Sequence, residues 1–217
     1  MIEVDNEIKE LFPQIKIGYI VSEVKIEKSN SEIISKIDET VNNIEQNITV
    51  EDVRENSIIK STKNAYRKMG KDPNRYRPAA ESLLRRVVQG KGLYHINNVV
   101  DILNLVSIQT GFSICGYDLN KIDGNIILRR GNNEIYEGIG RGNLNIADLP
   151  VFSDDIGAFG TPTSDSTRTM IDNKSKEILF IFPLFDKIDN ELEKALNLTK
   201  SYFEKYHISN NFKSAIL

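Results

Sequence analysis

The sequence predicts an α+β protein in which helices pack a mixed β-sheet. Helices occupy mainly the first half of the chain and strands mainly the second. Apolar residues recur at helical spacing between residues 30 and 110. After Gly111 the segments become short, β-prone and separated by glycine, asparagine or aspartate. The continuous apolar run ILFIFPLF, residues 178–185, predicts a fully buried central strand.

The first half is interpreted as one strand followed by four helices. Residues 15–26 alternate apolar and polar side chains, which predicts a half-buried strand. Helices are predicted over residues 30–48, where isoleucine and valine recur at helical spacing, and over about residues 50–69. The next helix, residues 78–89, begins at a proline and ends before a glycine. A fourth helix is expected over residues 97–110.

The second half is interpreted as a set of short strands followed by a last helix. That helix is expected over residues 190–206, with leucine, tyrosine and phenylalanine side chains facing inward. We find no internal repeat, low-complexity segment or convincing linker. The sequence therefore predicts a single domain over residues 1–217.

The composition limits the classes of function. Apolar residues make up 40% of the 217 residues, enough for a substantial core. The net charge of −3 argues against avid, non-specific binding of nucleic acid, and DNA is not an expected partner. A single cysteine favours a reducing, cytoplasmic compartment. Neither a signal peptide nor a membrane-spanning segment is expected, because no long apolar run occurs.

Ordinary metal and nucleophile signatures are weak. The residues His95, His207 and Cys115 show no zinc-like spacing, so neither a metal ion nor a cofactor is expected. Cys115 lies in the apolar segment SICGYD, and a lone buried cysteine usually packs as a small hydrophobe. No evident base accompanies it, so packing is favoured over a role as a thiolate nucleophile.

The segment GTPTSDSTRT, residues 160–169, is the most unusual polar stretch of the chain. Its hydroxyl groups fit a solvated loop, the usual setting of such residues. They equally fit a loop that borders a pocket and contacts a ligand or orients a water molecule. In that case Asp165 could bind an amino group, and Arg168 a carboxylate or phosphate. The residues alone do not separate these two interpretations.

The segment RYRPAAESLLRR, residues 75–86, is the one basic concentration in an acidic chain. Its four arginines could contact phosphate groups. The alternative is a solvated helix end whose arginines form intramolecular ion pairs. The arginines concerned are Arg75, Arg77, Arg85 and Arg86.

Residues 92–130, GLYHINNVVDILNLVSIQTGFSICGYDLNKIDGNIILRR, resemble the core of the B3/B4 module of the phenylalanyl-tRNA synthetase beta subunit. That module has the motif I-N-x-V-V-D-x-x-N-Y-V, then a glycine and H-A-F-D-x-D-K-I-x-G. The flanking segments RYRPAAESLLRRVVQGKG and GTPTSDSTRT are more similar to the free-standing branch of this family, which has no aminoacylation domain. The resemblance covers about residues 60–185, and residues 1–59 and 190–206 are expected to pack on this core.

In the synthetase, this module holds an editing pocket that hydrolyses tyrosine wrongly attached to phenylalanine tRNA. The resemblance therefore implies a pocket between the helix after Asn97 and the sheet. Two departures from the family pattern are evident: Cys115 replaces a histidine, and GAFGTPTSD replaces a Gly-Gly-x-x-Gly-Gly-Glu segment whose glutamate would fall near Asp165. The positions that match the pocket are Asn97, Asn98, Cys115, Gly116 and residues 160–165.

Our first hypothesis is an editing-like module that binds tRNA or aminoacyl-tRNA, or a small amino-acid ester, and hydrolyses a mischarged aminoacyl ester. Such a reaction needs little covalent machinery, because orientation and oxyanion stabilisation supply much of the rate. The residues assigned to hydrolysis are Asp165, Thr163 and Ser164. Those assigned to the substrate are Asn97, Asn98, Cys115, Gly116, Gly160 and Arg168. Those assigned to RNA are Arg75, Arg77, Arg85 and Arg86.

Two hypotheses from other classes remain open. The chain could bind an amino acid, a nucleotide or RNA without catalysis, which the replacement of the family histidine favours. It could also associate with another protein. A complete aminoacyl-tRNA ligase is not expected.

Overall fold

The computed structural model describes residues 2–217. Its helices are α1 Asn6–Leu11, α2 Ser31–Asn47, α3 Val50–Glu55, α4 Ser57–Lys68, α5 Ala79–Val88, α6 Asn98–Thr110 and α7 Glu191–Lys205. Its strands are β1 Ile2–Val4, β2 Lys16–Glu23, β3 Cys115–Asp118, β4 Ile126–Arg130, β5 Glu137–Gly138, β6 Gly142–Asn143, β7 Pro150–Ser153, β8 Ala158–Gly160, β9 Glu177–Leu184 and β10 Phe212–Ile216. The predicted α+β class is confirmed.

The strands form two four-stranded sheets and a small hairpin. One sheet has the order β10-β2-β9-β3 and is antiparallel throughout. The other has the order β1-β4-β7-β8, in which β1 pairs with β4 in parallel. The predicted mixed sheet is therefore a mixed sheet beside an antiparallel one. Strands β5 and β6 form the hairpin.

Strand β9 explains how the core is divided. Its alternate residues enter two apolar clusters: Phe180 and Phe182 pack with helices α2, α5, α6 and α7, whereas Leu179 and Ile181 pack with the second sheet. A strand buried on both faces must be apolar at every position, unlike the alternating pattern of a half-buried strand. The prediction of a fully buried strand from ILFIFPLF is confirmed.

Several elements differ from the sequence predictions. The helix expected over residues 50–69 is two helices, because Asn56 ends α3 and caps α4 with hydrogen bonds from Ile58 N and Ile59 N, each 3.0 Å. Helix α1 and strands β1 and β10 were not predicted. Each has at most six residues, too few for a periodic pattern to stand out.

The chain reaches the site region through α6 and β3. Asn97 caps α6, and Gly111 ends it in the left-handed conformation, with φ of 80°. The chain then enters β3, an edge strand paired on one side with β9. The other side of β3 is therefore free to meet the loop after β8. Within residues 2–217, no helix has the length and apolar character needed to cross a membrane.

Candidate functional site

Five residues from three segments meet at the outer edge of β3. Gly116 N donates to Asp165 Oδ2 at 2.9 Å, which joins the loop after β8 to the strand. The side chains of Cys115 and Tyr117 lie beside this carboxylate. The Tyr117 hydroxyl lies against Gly160, where an added Cβ would overlap it. The edge cluster, as we call these residues, therefore unites the predicted Cys115, Gly116, Gly160 and Asp165.

The Asp165 carboxyl is electrostatically unusual. Burial raises its pKa to about 7, although the Gly116 N–H and the nearby Tyr117 and Cys115 side chains act in the opposite direction. The carboxyl is therefore close to half ionised at neutral pH. The residue as a whole is partly exposed through its other atoms, but Oδ1 is buried.

Two polar atoms of the edge cluster retain unused hydrogen-bonding capacity. Within residues 2–217, Asp165 Oδ1 and the Tyr117 hydroxyl are buried and have no hydrogen-bond partner. An unpaired buried polar atom costs about 1–3 kcal/mol, so native proteins usually give such atoms a partner from the protein, water or a ligand. The Tyr117 ring is held in place by an edge-to-face contact with Phe159, with centroids 4.7 Å apart.

Cys115 has the properties of a packing residue. Its side chain is buried, and Sγ donates a weak hydrogen bond to Ser113 O at 3.9 Å. Burial first, and then the charge of Asp165, raise the pKa of the thiol well above its ordinary value. A thiol in this setting stays protonated at neutral pH, and it is the thiolate that acts as a nucleophile.

Thr163 and Ser164 form the part of the loop just before Asp165. Thr163 is buried, and its Oγ1 lies 2.8 Å from Tyr66 Oη and donates to Tyr76 O at 3.3 Å. Ser164 O accepts from Tyr136 Oη at 2.7 Å, while its hydroxyl makes only long contacts of 3.4 Å. Thr163 thus fixes the loop, and the Ser164 hydroxyl is the freer of the two.

Arg168 is engaged in a bidentate ion pair within the protein. Its two terminal nitrogens donate to the carboxylate of Asp154 at 3.0 and 2.8 Å. Burial acts to raise the pKa of Asp154, but hydrogen bonds from Arg168 and from backbone N–H groups outweigh it and lower the pKa. Arg168 therefore ties the loop after β8 to the turn before β8.

The two asparagines at the start of α6 are used by the backbone around them. Asn97 Oδ1 accepts from Val100 N at 2.9 Å as the helix cap. Asn98 Oδ1 accepts from Glu27 N and its Nδ2 donates to Lys25 O, each at 3.0 Å. Within residues 2–217, no hydrogen bond links either side chain to the edge cluster. Their assignment to a substrate stays a prediction.

The predicted basic segment is organised around Glu81, a carboxylate that is almost fully buried. Arg85 Nε lies 2.8 Å from Glu81 Oε1, and Arg77 Nε lies 3.8 Å from the same atom. Arg86 stacks on Tyr94, with its guanidinium carbon 4.0 Å from the ring centre. The alternative of intramolecular ion pairs therefore describes Arg77 and Arg85 well. Arg75 lies near the ring of Tyr76, at 5.6 Å.

Sequence reasoning missed several side chains that shape this region. Tyr66 and Tyr136 hold the loop of Asp165, and Lys63 of α4 joins Glu81 with a distance of 3.0 Å. The buried face of α4 carries both apolar and polar side chains, and the aromatic hydroxyl of Tyr66 on it was the available signal. Among the residues that the structure describes, no three histidine, cysteine, aspartate or glutamate side chains gather as a metal site.

Comparison with known proteins identifies the family. The family model described as "B3/4 domain" matches residues 61–215. Over 103 residues, the chain is 35% identical to the phenylalanine–tRNA ligase beta subunit of Fusobacterium nucleatum subsp. nucleatum. That alignment covers 44% of this chain and 12% of that protein, so the chain spans about an eighth of the length of this relative.

A solved structure is also similar to this chain. It is the crystal structure of an N-terminal fragment of the phenylalanyl-tRNA synthetase beta subunit from Pyrococcus horikoshii. The likeness has a TM-score of 0.47 with 11% sequence identity, and covers 99% of this chain and 50% of that one. The match of the family model over most of the chain decides the assignment: this protein belongs to the B3/4 domain family.

Proposed function

We propose that this protein is an editing-like module that binds tRNA or aminoacyl-tRNA and hydrolyses a mischarged aminoacyl ester. The observation that carries this proposal is the Asp165 carboxyl, which Gly116 N holds at the edge of β3 with a pKa of about 7. Family membership and the resemblance to the editing module supply the substrate class. The proposed role is cytoplasmic, where charged tRNA is found.

The edge cluster offers a general base for ester hydrolysis. A base works best when its pKa lies near the operating pH, and burial gives Asp165 such a value. In the proposed reaction the Asp165 carboxylate takes a proton from water as the water oxygen bonds to the ester carbonyl carbon. The tetrahedral intermediate then expels the ribose oxygen, which receives the proton from Asp165. The products are the free amino acid and a tRNA with a free terminal hydroxyl.

The Tyr117 hydroxyl is suited to stabilise charge on the carbonyl oxygen. Burial, and then the charge of Asp165, raise the pKa of Tyr117 well above its ordinary value, so the hydroxyl remains a donor. Its unused hydrogen-bonding capacity lies beside the proposed base. A fixed donor aimed at developing negative charge is among the largest contributions to acyl-transfer catalysis. The Ser164 hydroxyl is proposed to contact the amino group or the attacking water.

The test is deacylation of phenylalanine tRNA mischarged with tyrosine. We expect the wild-type protein to accelerate deacylation over buffer, and Asp165→Asn to lose roughly 10²–10⁴-fold in rate, the usual contribution of a general base. The matched control is Asp155→Asn, which removes an exposed carboxylate from the turn before β8 and should leave the rate unchanged. Equal rates for wild type and Asp165→Asn, or no acceleration at all, would exclude Asp165 as the base.

Non-catalytic binding of RNA or an amino acid is the second candidate. One observation favours it: Cys115, at the position of the family histidine, is buried and holds its proton. Under this alternative the wild-type protein retains tRNA on a native gel but leaves the aminoacyl ester at its spontaneous rate of hydrolysis.

A further inference from the structure

We propose that the groove between α3, α4 and α5 binds the phosphodiester backbone of RNA. The groove has a volume of about 680 Å³. Its cationic lining residues are Arg54, Lys60, Lys63, Arg67, Arg77 and Arg85. The identification of the polyanion as RNA rests on the proposed function, whereas the groove itself is defined by its charges and ion pairs.

The groove keeps a positive excess after its internal ion pairs are counted. Six cationic side chains line it, and three carboxylates neutralise part of their charge. Glu51 pairs with Arg54, Glu55 pairs with Lys60, and Glu81 serves the remaining cluster. An excess of three positive charges thus occupies one groove of a chain whose net charge is −3. Such a local reversal attracts phosphate groups.

The cations of the inner wall are held in position by Glu81. Lys63 Nζ lies 3.0 Å from Glu81 Oε2, and Arg85 Nε lies 2.8 Å from Oε1. Arg85 uses Nε for this contact, and among residues 2–217 no hydrogen bond occupies its two terminal nitrogens, which are available to a ligand. Side chains fixed before binding lose less conformational entropy when the ligand arrives. The buried Glu81 therefore presents these cations in a set geometry.

The groove adjoins the loop that carries Asp165. Tyr66 of α4 contacts Thr163 at 2.8 Å, and Ala79 N of α5 donates to Pro162 O at 2.8 Å. In sequence, Tyr66 neighbours the groove residue Arg67, and Ala79 follows Arg77 by two positions. The two helices that wall the groove thus clamp the loop of the proposed base. A polyanion with a reactive end fits this arrangement better than an isolated phosphate.

The first experiment measures binding of uncharged, fluorescently labelled tRNA by anisotropy between about 50 and 200 mM salt, the range over which phosphate contacts weaken strongly. The groove variant combines Lys60→Gln with Arg67→Gln, two exposed residues outside the Glu81 cluster. The matched control combines Lys194→Gln with Lys205→Gln on α7. Lys194 pairs with Glu191 much as Lys60 pairs with Glu55.

We expect the groove variant to bind tRNA roughly tenfold or more weakly at low salt, with the slope of log affinity against log salt reduced by about 2. The control should bind as the wild type does. The proposal is overturned if the two variants bind alike, or if the wild-type protein shows no salt-dependent binding at low salt.

Competition separates RNA from other polyanions. If ATP or pyrophosphate displaces tRNA as effectively as unlabelled tRNA does, the groove is a nucleotide or phosphate site and the RNA proposal fails. Equal displacement by poly-glutamate would indicate an acidic protein partner, which also overturns it. Poor displacement by all three supports RNA.

The groove and the proposed hydrolysis can fail independently. If the groove variant weakens salt-dependent tRNA binding but no deacylation is observed, the groove proposal is supported and the hydrolysis proposal is excluded. If wild type and groove variant deacylate tRNA at equal rates at limiting protein concentration, the hydrolysis proposal is supported and the groove proposal is excluded.

Discussion

The start of α6 and the loop after β8 both carry polar side chains that the sequence assigns to a ligand, but the structure uses them differently. At the α6 start the side chains of Asn97, Asn98 and Asp101 are all taken up by backbone N–H groups, carbonyls or Ser29. In the loop after β8, one oxygen of Asp165 accepts from Gly116 N, and the other is buried and has no partner among residues 2–217. Hydrogen-bond accounting, more than polarity, separates a structural region from a candidate site.

Removing the Asp101 carboxylate should have the largest effect on stability. It accepts from Ile96 N at 2.8 Å and from Ser29 Oγ at 2.6 Å, with almost no exposure to solvent. Asp101→Ala leaves the buried Ser29 hydroxyl and the Ile96 N–H without their acceptor, so we expect a loss of about 3 kcal/mol in the free energy of unfolding, measured with urea. Asp101→Asn is the matched control and should lose less, because its carbonyl oxygen still accepts from Ile96 N. A loss below about 0.5 kcal/mol, typical of surface sites, would contradict the structural role assigned to the polar side chains at the start of α6.

Ionisation of the Asp165 carboxyl should destabilise the folded protein at neutral pH, whereas the Asp101 carboxylate stabilises it. Its folded pKa of about 7 exceeds the unfolded value near 3.8, so its stabilising contribution is full below about pH 4 and is lost as pH rises through 7. Between pH 4 and 8 the free energy of unfolding of the wild type should therefore fall by about 1–3 kcal/mol relative to that of Asp165→Asn. This range is smaller than the full pKa shift would give, because the residue is partly exposed and solvent screens its charge.

Urea unfolding of both proteins at several pH values provides the measurement. Asp155→Asn is the control, and its stability should follow the wild type across the range. If the difference in free energy of unfolding between wild type and Asp165→Asn is the same at every pH, Asp165 has the same pKa in the folded and unfolded states. Asp165 would then not differ from the structural side chains at the start of α6.

Removing the Asn97 cap should have the smallest effect. Asn97→Ala leaves Val100 N without its acceptor, and loss of such a cap costs about 1 kcal/mol. Asn97→Ser preserves the capping group and should be nearly neutral. Measured on folded protein, tRNA deacylation should stay within a few-fold of wild type. A hundredfold loss of activity would show that the start of α6 belongs to the site, as the resemblance to the editing module implies.

Local patterns were enough to predict several elements. The apolar run of β9, the periodicity of α2 and the glycine that ends α6 are all visible in a few neighbouring residues. The break at Asn56 was missed because an asparagine in a polar helical surface looks the same whether or not the helix continues. Strand β10 was missed because its pairing partner β2 lies about 190 residues earlier in the chain.

The candidate site was predicted only in part, for the same reason. The loop of Asp165 stood out by composition, and the resemblance paired it with residues 115–116. The contact of Asp165 with Gly116 N depends on which edge of β3 is left free, which is a tertiary property. The basic groove joins residues from α3, α4 and α5, and the basic segment 75–86 that the sequence indicated contains only part of it.

The proposed role of Asp165 requires its carboxyl to exchange a proton near neutral pH. It is tested most directly by following the side-chain carboxyl carbon of Asp165 by NMR between pH 3 and 9, with Asp165→Asn to assign the signal. We predict a titration midpoint at about pH 7. A midpoint near pH 4, the value of an ordinary aspartate, would contradict the account.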